Sequence, residues 1–501
     1  MPELIPDIKF PELVFGIVAA IGADIEPTIR ALKEYLTAQG YLTIEIKVTD
    51  AFCRLSKIIR PNVPLEKNPE QKRFDTYISY GNQLRDEFSD NSVLAMSTVV
   101  RILEERNSSS KTDINSEIGK KAFICYQFKT VEEIELLRAV YGSIFFQISI
   151  YSSRGTRVDH LSRKFADSNN SADNMQFRSD AEALVQKDSD ERDKPSGQRV
   201  SKIFHEADFI INSDVLHPST FKQIRRFCDL LFGSNKISPT KYEYGMFLAK
   251  AAALRSLDLS RQVGAAIFTP DGEIVSLGSN EVPKAGGGTY WSGEEFDDRE
   301  YKRNEDSNER RKIEILVDLI ENFDEKFDIQ ALPKNHPVFR SQFMDALEYG
   351  RIIHAEMNAI TDAARAGKSI KGSALYSTTF PCHMCAKHIV SSGIEKVVFL
   401  EPYPKSLAFD LHSDSIVVEG GDRGKYNSYP AVKFEHFFGV TPRRYIELFS
   451  RAKRKDGEGK FLPYLSDEAR PIVKLKRPHY FELEQITALA FVNMIKEKSP
   501  S

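Results

Sequence analysis

Residues 354–400 read HAEMNAITDAARAGKSIKGSALYSTTFPCHMCAKHIVSSGIEKVVFL. Met357, Ile360 and Ala364 recur at helical spacing after His354, and Gly367 supplies a stop. A helix is therefore predicted with His354 and Glu356 in its first turn. Ala374 to Phe380 reads as a strand, Pro381 as a helix-start residue, Cys382 to Ser392 as a helix closed by Gly393, and Lys396 to Leu400 as the next parallel strand. A strand-helix-strand frame of this kind belongs to an α/β fold.

Cys382 and Cys385 then stand at i and i+3 on one helical face, near enough to share one metal ion. An imidazole from His354 and two thiolates suit Zn2+ and leave a fourth position open, the arrangement of a catalytic rather than a closed structural centre. Both cysteines fall at a helix start, where the dipole favours the thiolate form. Glu356 lies two residues beyond the first ligand and suits general acid and base work. A lone C-x-x-C fits a structural zinc site equally well; the H-A-E triplet and the proline before the first cysteine favour the catalytic one. His383, His388 and His412 read as packing or surface histidines, and Cys53, Cys125 and Cys228 as small core residues.

Upstream of this stretch, a helix is predicted from Tyr242 to Leu257. Val263 to Phe268 and Ile274 to Gly278 flank Pro270-Asp271-Gly272 and read as a hairpin. Glu281 to Gln342 is a long charged insertion, and Gly233 to Thr240 a linker. Further upstream, strand patterns (Leu13 to Ala20, Thr43 to Val48, Lys121 to Phe128, Ser143 to Ile150, Asp208 to Asn212) alternate with helical ones (Ile25 to Ala38, Val131 to Tyr141, His217 to Phe232). That alternation predicts a mostly parallel sheet with helices on both faces. The polar segment 166–200 reads as a mobile loop or lid, with plain surface insertion as an equal alternative. Two domains are expected, 1–235 and 240–480.

The 501 residues are 41% hydrophobic and 28% charged, ordinary globular material. Five cysteines argue against a disulfide framework and for a reducing, cytoplasmic setting. The start lacks a basic leader, and no run reaches the roughly 18 apolar residues of a membrane span, so no membrane partner is expected. A net charge of -3 removes the electrostatic drive of a general nucleic-acid binder.

The H-x-E and P-C-x-x-C elements, set in residues 242–411, resemble the cytidine and deoxycytidylate deaminase superfamily. The resemblance implies an α/β/α sandwich and hydrolytic loss of an exocyclic amine. Glu356 would carry protons between water, ring N3 and departing ammonia as C4 is attacked. It further implies a sugar contact from Asn280 and base-edge reading near Ala355. Arg261, Tyr403, Lys405 and Ser406 become candidates for phosphate contact or base stacking. Residues 1–235 resemble a P-loop nucleoside-phosphate kinase, with Gly16 and Gly22 as candidate nucleotide contacts. GIVAAIGAD lacks the Lys-Ser/Thr of a working P-loop, so a regulatory or RNA-sensing module is expected in place of a kinase. The combination resembles the bacterial antiphage dCTP deaminases. That resemblance implies conversion of dCTP or dCMP to dUTP or dUMP, depletion of the nucleotide pool during infection, an inhibitory small RNA and a homo-oligomer. A deaminase of tRNA or single-stranded DNA would share every zinc residue and differ in its substrate channel.

Overall fold

The computed structural model describes residues 8–108, 119–190, 200–214, 217–322, 332–333, 336–403, 405–451, 454–462 and 469–498. The chain divides into two compact units, Met1–Pro239 with Phe438–Ser501, and Thr240–Phe437. Among the described residues no helix is long and apolar enough to cross a membrane.

In the first unit β1 (Leu13–Ala19), β2 (Leu42–Lys47), β3 (Lys121–Tyr126), β4 (Phe145–Tyr151) and β5 (Phe209–Asn212) form a parallel sheet in the order β2-β3-β1-β4-β5. Its central strands are buried along nearly their whole length, as helices on both faces require. Gly16 sits in the middle of β1, where a Cβ would come within 2.7 Å of the Phe145 ring. Its role is packing, and the expected nucleotide contact moves off it. Gly22 does occupy the turn after β1, with φ +88°.

In the second unit β6 (Gly264–Phe268) and β7 (Ile274–Ser279) form the expected hairpin. They join β8 (Ala374–Thr379), β9 (Lys396–Glu401), β10 (Ile416–Val418) and β11 (Val432–His436) in the order β10-β11-β9-β8-β6-β7. The pairs β8/β9, β9/β11 and β10/β11 are parallel, while β6 runs antiparallel to both neighbours. Helices Lys241–Ala253 and Ala355–Arg365 lie against this sheet at glycines. A Cβ on Gly264 would stand 1.9 Å from the Ala249 carbonyl oxygen, and one on Gly278 2.1 Å from that of Ala355.

Three expectations need correction. The second unit ends at Phe437, not at 480: β12 (Gly439–Val440) pairs antiparallel with β5. Arg444 there binds Asp208 (3.1 Å) and the Phe145 carbonyl (2.7 Å). The polar segment 166–200 is largely helical where described, its residues 191–199 lying outside the described residues. Phe165, Ala181, Leu184 and Val185 form an apolar face against Val158 and Leu161, so helix Arg178–Asp190 is pinned by packing. Cys53 is exposed, because Phe52 and Leu55 take the inward positions of its short helix. The charged insertion holds helix Ser307–Glu321, capped by Asp306; its residues 323–331 and 334–335 lie outside the described residues.

Candidate active site

His354 and Cys382 occupy equivalent places, each the extended N-cap residue of a helix, Ala355–Arg365 and His383–Ser391. Cys385 follows one turn later, and Glu356 is the second residue of its helix. The first helix is fixed to β7 by Asn358, whose Nδ2 donates to the Ser279 carbonyl (2.8 Å), and by Ser276, whose hydroxyl donates to the Ala359 carbonyl (2.8 Å).

These placements bring Nδ1 of His354 to 3.3 Å from the Cys382 sulfur and 3.4 Å from the Cys385 sulfur. Among the described residues no other set of three potential metal-ligating side chains converges in this way. Glu356, buried, accepts from Ser377 Oγ at Oε1 (3.4 Å) and from the Cys385 thiol at Oε2 (3.5 Å).

The two thiols titrate apart. Hydrogen bonding from Cys385, then from His354, holds Cys382 down at about 4, whereas the same contact with Cys382 and burial push Cys385 well up. Burial works against a charged His354, yet its hydrogen bond to Cys382 prevails and raises it. Burial, then the Cys382 charge, raises Glu356. One nitrogen and two sulfurs, converging within 4.8 Å of one another, fit Zn2+.

The opening beside these residues is a cleft of ≈ 120 Å³ whose wall includes Asp258, Arg261, Asn280, Leu347, Thr379 and Tyr403. Ala355 also borders it, at the start of the helix. Asn280 accepts from the Val263 amide (2.7 Å) and donates to Asp258 Oδ2 (2.7 Å) and the Arg261 carbonyl (2.8 Å). Arg261 stacks over the Tyr403 ring (5.1 Å to the centroid) and pairs with Glu401 (3.3 Å). Lys405 and Ser406 stand outside the wall. Lys405 extends into solvent and pairs with Asp345 (2.5 Å). Ser406 donates to the Pro381 carbonyl (2.8 Å) and accepts from the Ala408 amide (3.2 Å) in a local turn. Asp258, Leu347, Thr379 and Ser377 went unforeseen. Only Asp258 left a sequence signal, the Asp-x-Ser turn in which its Oδ1 accepts from the Ser260 amide (2.7 Å).

Residues 239–401 match the model of the cytidine and deoxycytidylate deaminase zinc-binding region. His354, Cys382, Cys385 and Glu356 all fall inside the matched residues. Among curated proteins, the deoxycytidylate deaminase of Enterobacteria phage T2 is 47% identical over 76 residues, 15% of this chain and 38% of the phage protein. The deoxycytidylate deaminase of Mus musculus is 29% identical over 160 residues, 32% of this chain and 63% of the mouse protein. The chain thus spans between about a third and two thirds of the length of these relatives. Among solved structures, the dCMP deaminase of cyanophage S-TIM5 in complex with dCMP and dUMP aligns over 40% of this chain and 98% of its own, at 20% identity and TM-score 0.23.

Proposed function

We propose that the chain hydrolyses the exocyclic amine of a deoxycytidine nucleotide, dCMP or dCTP, giving the uracil nucleotide and ammonia. The observation that carries this reading is the buried carboxyl of Glu356 beside, and not within, the His354-Cys382-Cys385 donor set. His354, Cys382 and Cys385 would hold zinc, which when bound supplies the Lewis acidity that lets water attack near neutral pH.

The remaining work falls to the chain. Glu356, oriented by Ser377 at one oxygen, takes a proton from water and delivers it to ring N3. It then takes the proton of the hydroxyl now on C4 and passes it to the amine, which leaves as ammonia while C4 becomes a carbonyl. Burial, then the Cys382 charge, raises the Glu356 carboxyl above its ordinary value, the direction that suits a group that must hold a proton between transfers. Asn280 keeps one acceptor lone pair for a sugar hydroxyl, and Ala355 borders the base. Arg261, braced by Tyr403 and Glu401, offers the cation for the 5′-phosphate.

The two-part chain resembles the antiphage dCTP deaminases, and on that resemblance the reading extends to depletion of the deoxycytidine nucleotide pool during infection, a restraining small RNA and a homo-oligomer. Following dCTP in phage-challenged cells with and without the chain tests that extension. The reaction itself is tested by mass spectrometry on dCMP, dCTP, deoxycytidine and a cytosine oligonucleotide. Conversion of the free nucleotides supports the reading, and conversion confined to the polymer overturns it.

A further inference from the structure

Asp258 borders the cleft of the second unit, yet none of the steps above uses it. It lies in the connection between helix Lys241–Ala253 and β6, residues 254–263, which also carries Arg261. Its two oxygens serve different neighbours. Oδ1 accepts from the amide (2.7 Å) and the hydroxyl (2.8 Å) of Ser260, closing a turn within the connection. Oδ2 accepts from Nδ2 of Asn280 (2.7 Å), the residue that follows β7. One carboxylate thus ties the connection that carries Arg261 to the end of the hairpin. Ser256 braces the same joint, its hydroxyl donating to the Asn280 carbonyl (2.7 Å).

Asn280 is 4% exposed, and its side-chain amide is engaged on three sides. Nδ2 gives its other hydrogen to the Arg261 carbonyl (2.8 Å), and Oδ1 takes the Val263 amide (2.7 Å). Both hydrogens are used, so what the amide still offers is a lone pair on Oδ1. A group that can only accept selects a partner that donates. Turning the amide over would set Oδ1 against the Asp258 carboxylate and an N–H against the Val263 N–H, leaving buried polar groups without partners. Of the three partners Asp258 is the one side chain. A carboxylate accepts at both oxygens, as the Ser260 and Asn280 donors together require; an asparagine in its place would accept at one end only.

A deoxycytidine 5′-nucleotide has one free sugar hydroxyl, at C3′. Building on the deaminase reading above, we propose that Asp258 is a positioning residue: it sets the Asn280 amide to accept from that hydroxyl and so makes the cleft prefer a sugar that carries it.

Conversion of dCMP and of 2′,3′-dideoxycytidine monophosphate, which lacks the hydroxyl, is followed by mass spectrometry with the full chain. The parent favours dCMP by about tenfold or more in kcat/KM, the effect of one hydrogen bond in a buried site. Asp258→Ala and the isosteric Asp258→Asn lower kcat/KM for dCMP by about tenfold and change it much less for the dideoxy nucleotide, so the preference collapses. Zinc content and a thermal melt check that each variant is folded. In an Asn280→Ala background, where the preference is already gone, Asp258→Ala changes the ratio no further. The proposal is overturned if the parent converts the two nucleotides alike, or if either variant keeps the parent's ratio, whether it loses nothing or loses equally on both substrates. A parent that converts neither nucleotide removes the deaminase reading, and the proposal with it.

Discussion

At the scale of single residues the site depends on division of labour among neighbours of similar chemistry. Cys382 and Cys385 differ in proton affinity because each hydrogen-bonds the other, and His354 sides with the thiolate. A cation is therefore met by one ready thiolate, Cys382, and binding it displaces the protons that His354 and Cys385 hold. Cys385→Ser removes the better-buried sulfur, so the purified variant should carry far less zinc than the parent, as read by atomic absorption. Parent-like zinc content would place the metal elsewhere. Arg261 supports a sharper prediction because its guanidinium is held at the mouth by Tyr403 and Glu401. Arg261→Ala should lower kcat/KM for dCMP by about tenfold or more, the loss of a charged hydrogen bond worth roughly 1.5–3 kcal/mol. Deoxycytidine, which lacks the phosphate, should be turned over as before. Equal losses on both would remove the phosphate role.

At the scale of elements the precision of the site comes from how closely helix Ala355–Arg365 lies on β7. The contact at Gly278 leaves no room for a methyl group: its Cβ would meet backbone, which cannot swing aside. Gly278→Ala should displace the helix start that carries His354 and Glu356, costing about 1–3 kcal/mol as overpacking does and reducing zinc content and activity together. An unchanged Tm with full zinc would show that the helix tolerates the shift. The same tightness explains what could be read from sequence. Cysteines one helical turn apart, a proline before them and a stop glycine after each helix are local signals, and they located the candidate metal set of His354, Cys382 and Cys385 and its frame. Helix Glu70–Phe88 was not legible, because its inward row Thr76, Tyr80, Leu84 and Phe88 opens on a threonine and is diluted by charge. Helix Tyr480–Lys498 buries Glu484 and Thr487 beside Tyr480 and Phe491 while exposing leucines, so its pattern points away from its true inner face. The bond from Ser406 to the Pro381 carbonyl and the position of Leu347 in the cleft wall depend on tertiary contacts that no spacing encodes.

At the scale of the whole molecule the first unit is closed by chain segments far apart in sequence. Arg106 is buried with two carboxylates on its guanidinium, Glu12 at 2.7 Å and Glu484 at 2.5 Å, and Phe481 lies beneath it. Removing Glu484 leaves Arg106 paired with Glu12 but takes two charged hydrogen bonds from its buried guanidinium, a loss of about 1.5–3 kcal/mol. Glu484→Ala should therefore lower the thermal stability of the first unit clearly, as followed by calorimetry, and a parent-like melt would contradict the account of how residues 438–501 complete that unit. In the second unit the proposed proton carrier is the single carboxyl of Glu356, beside the candidate metal set of His354, Cys382 and Cys385. Its most direct test pairs two readings on the same protein, zinc content and conversion of dCMP by mass spectrometry, for the parent and Glu356→Gln. The account predicts that the variant keeps its zinc and its fold while conversion falls by about 10²–10⁴-fold, the range of a lost general acid-base; a zinc-loaded variant that deaminates dCMP at the parent rate would contradict it.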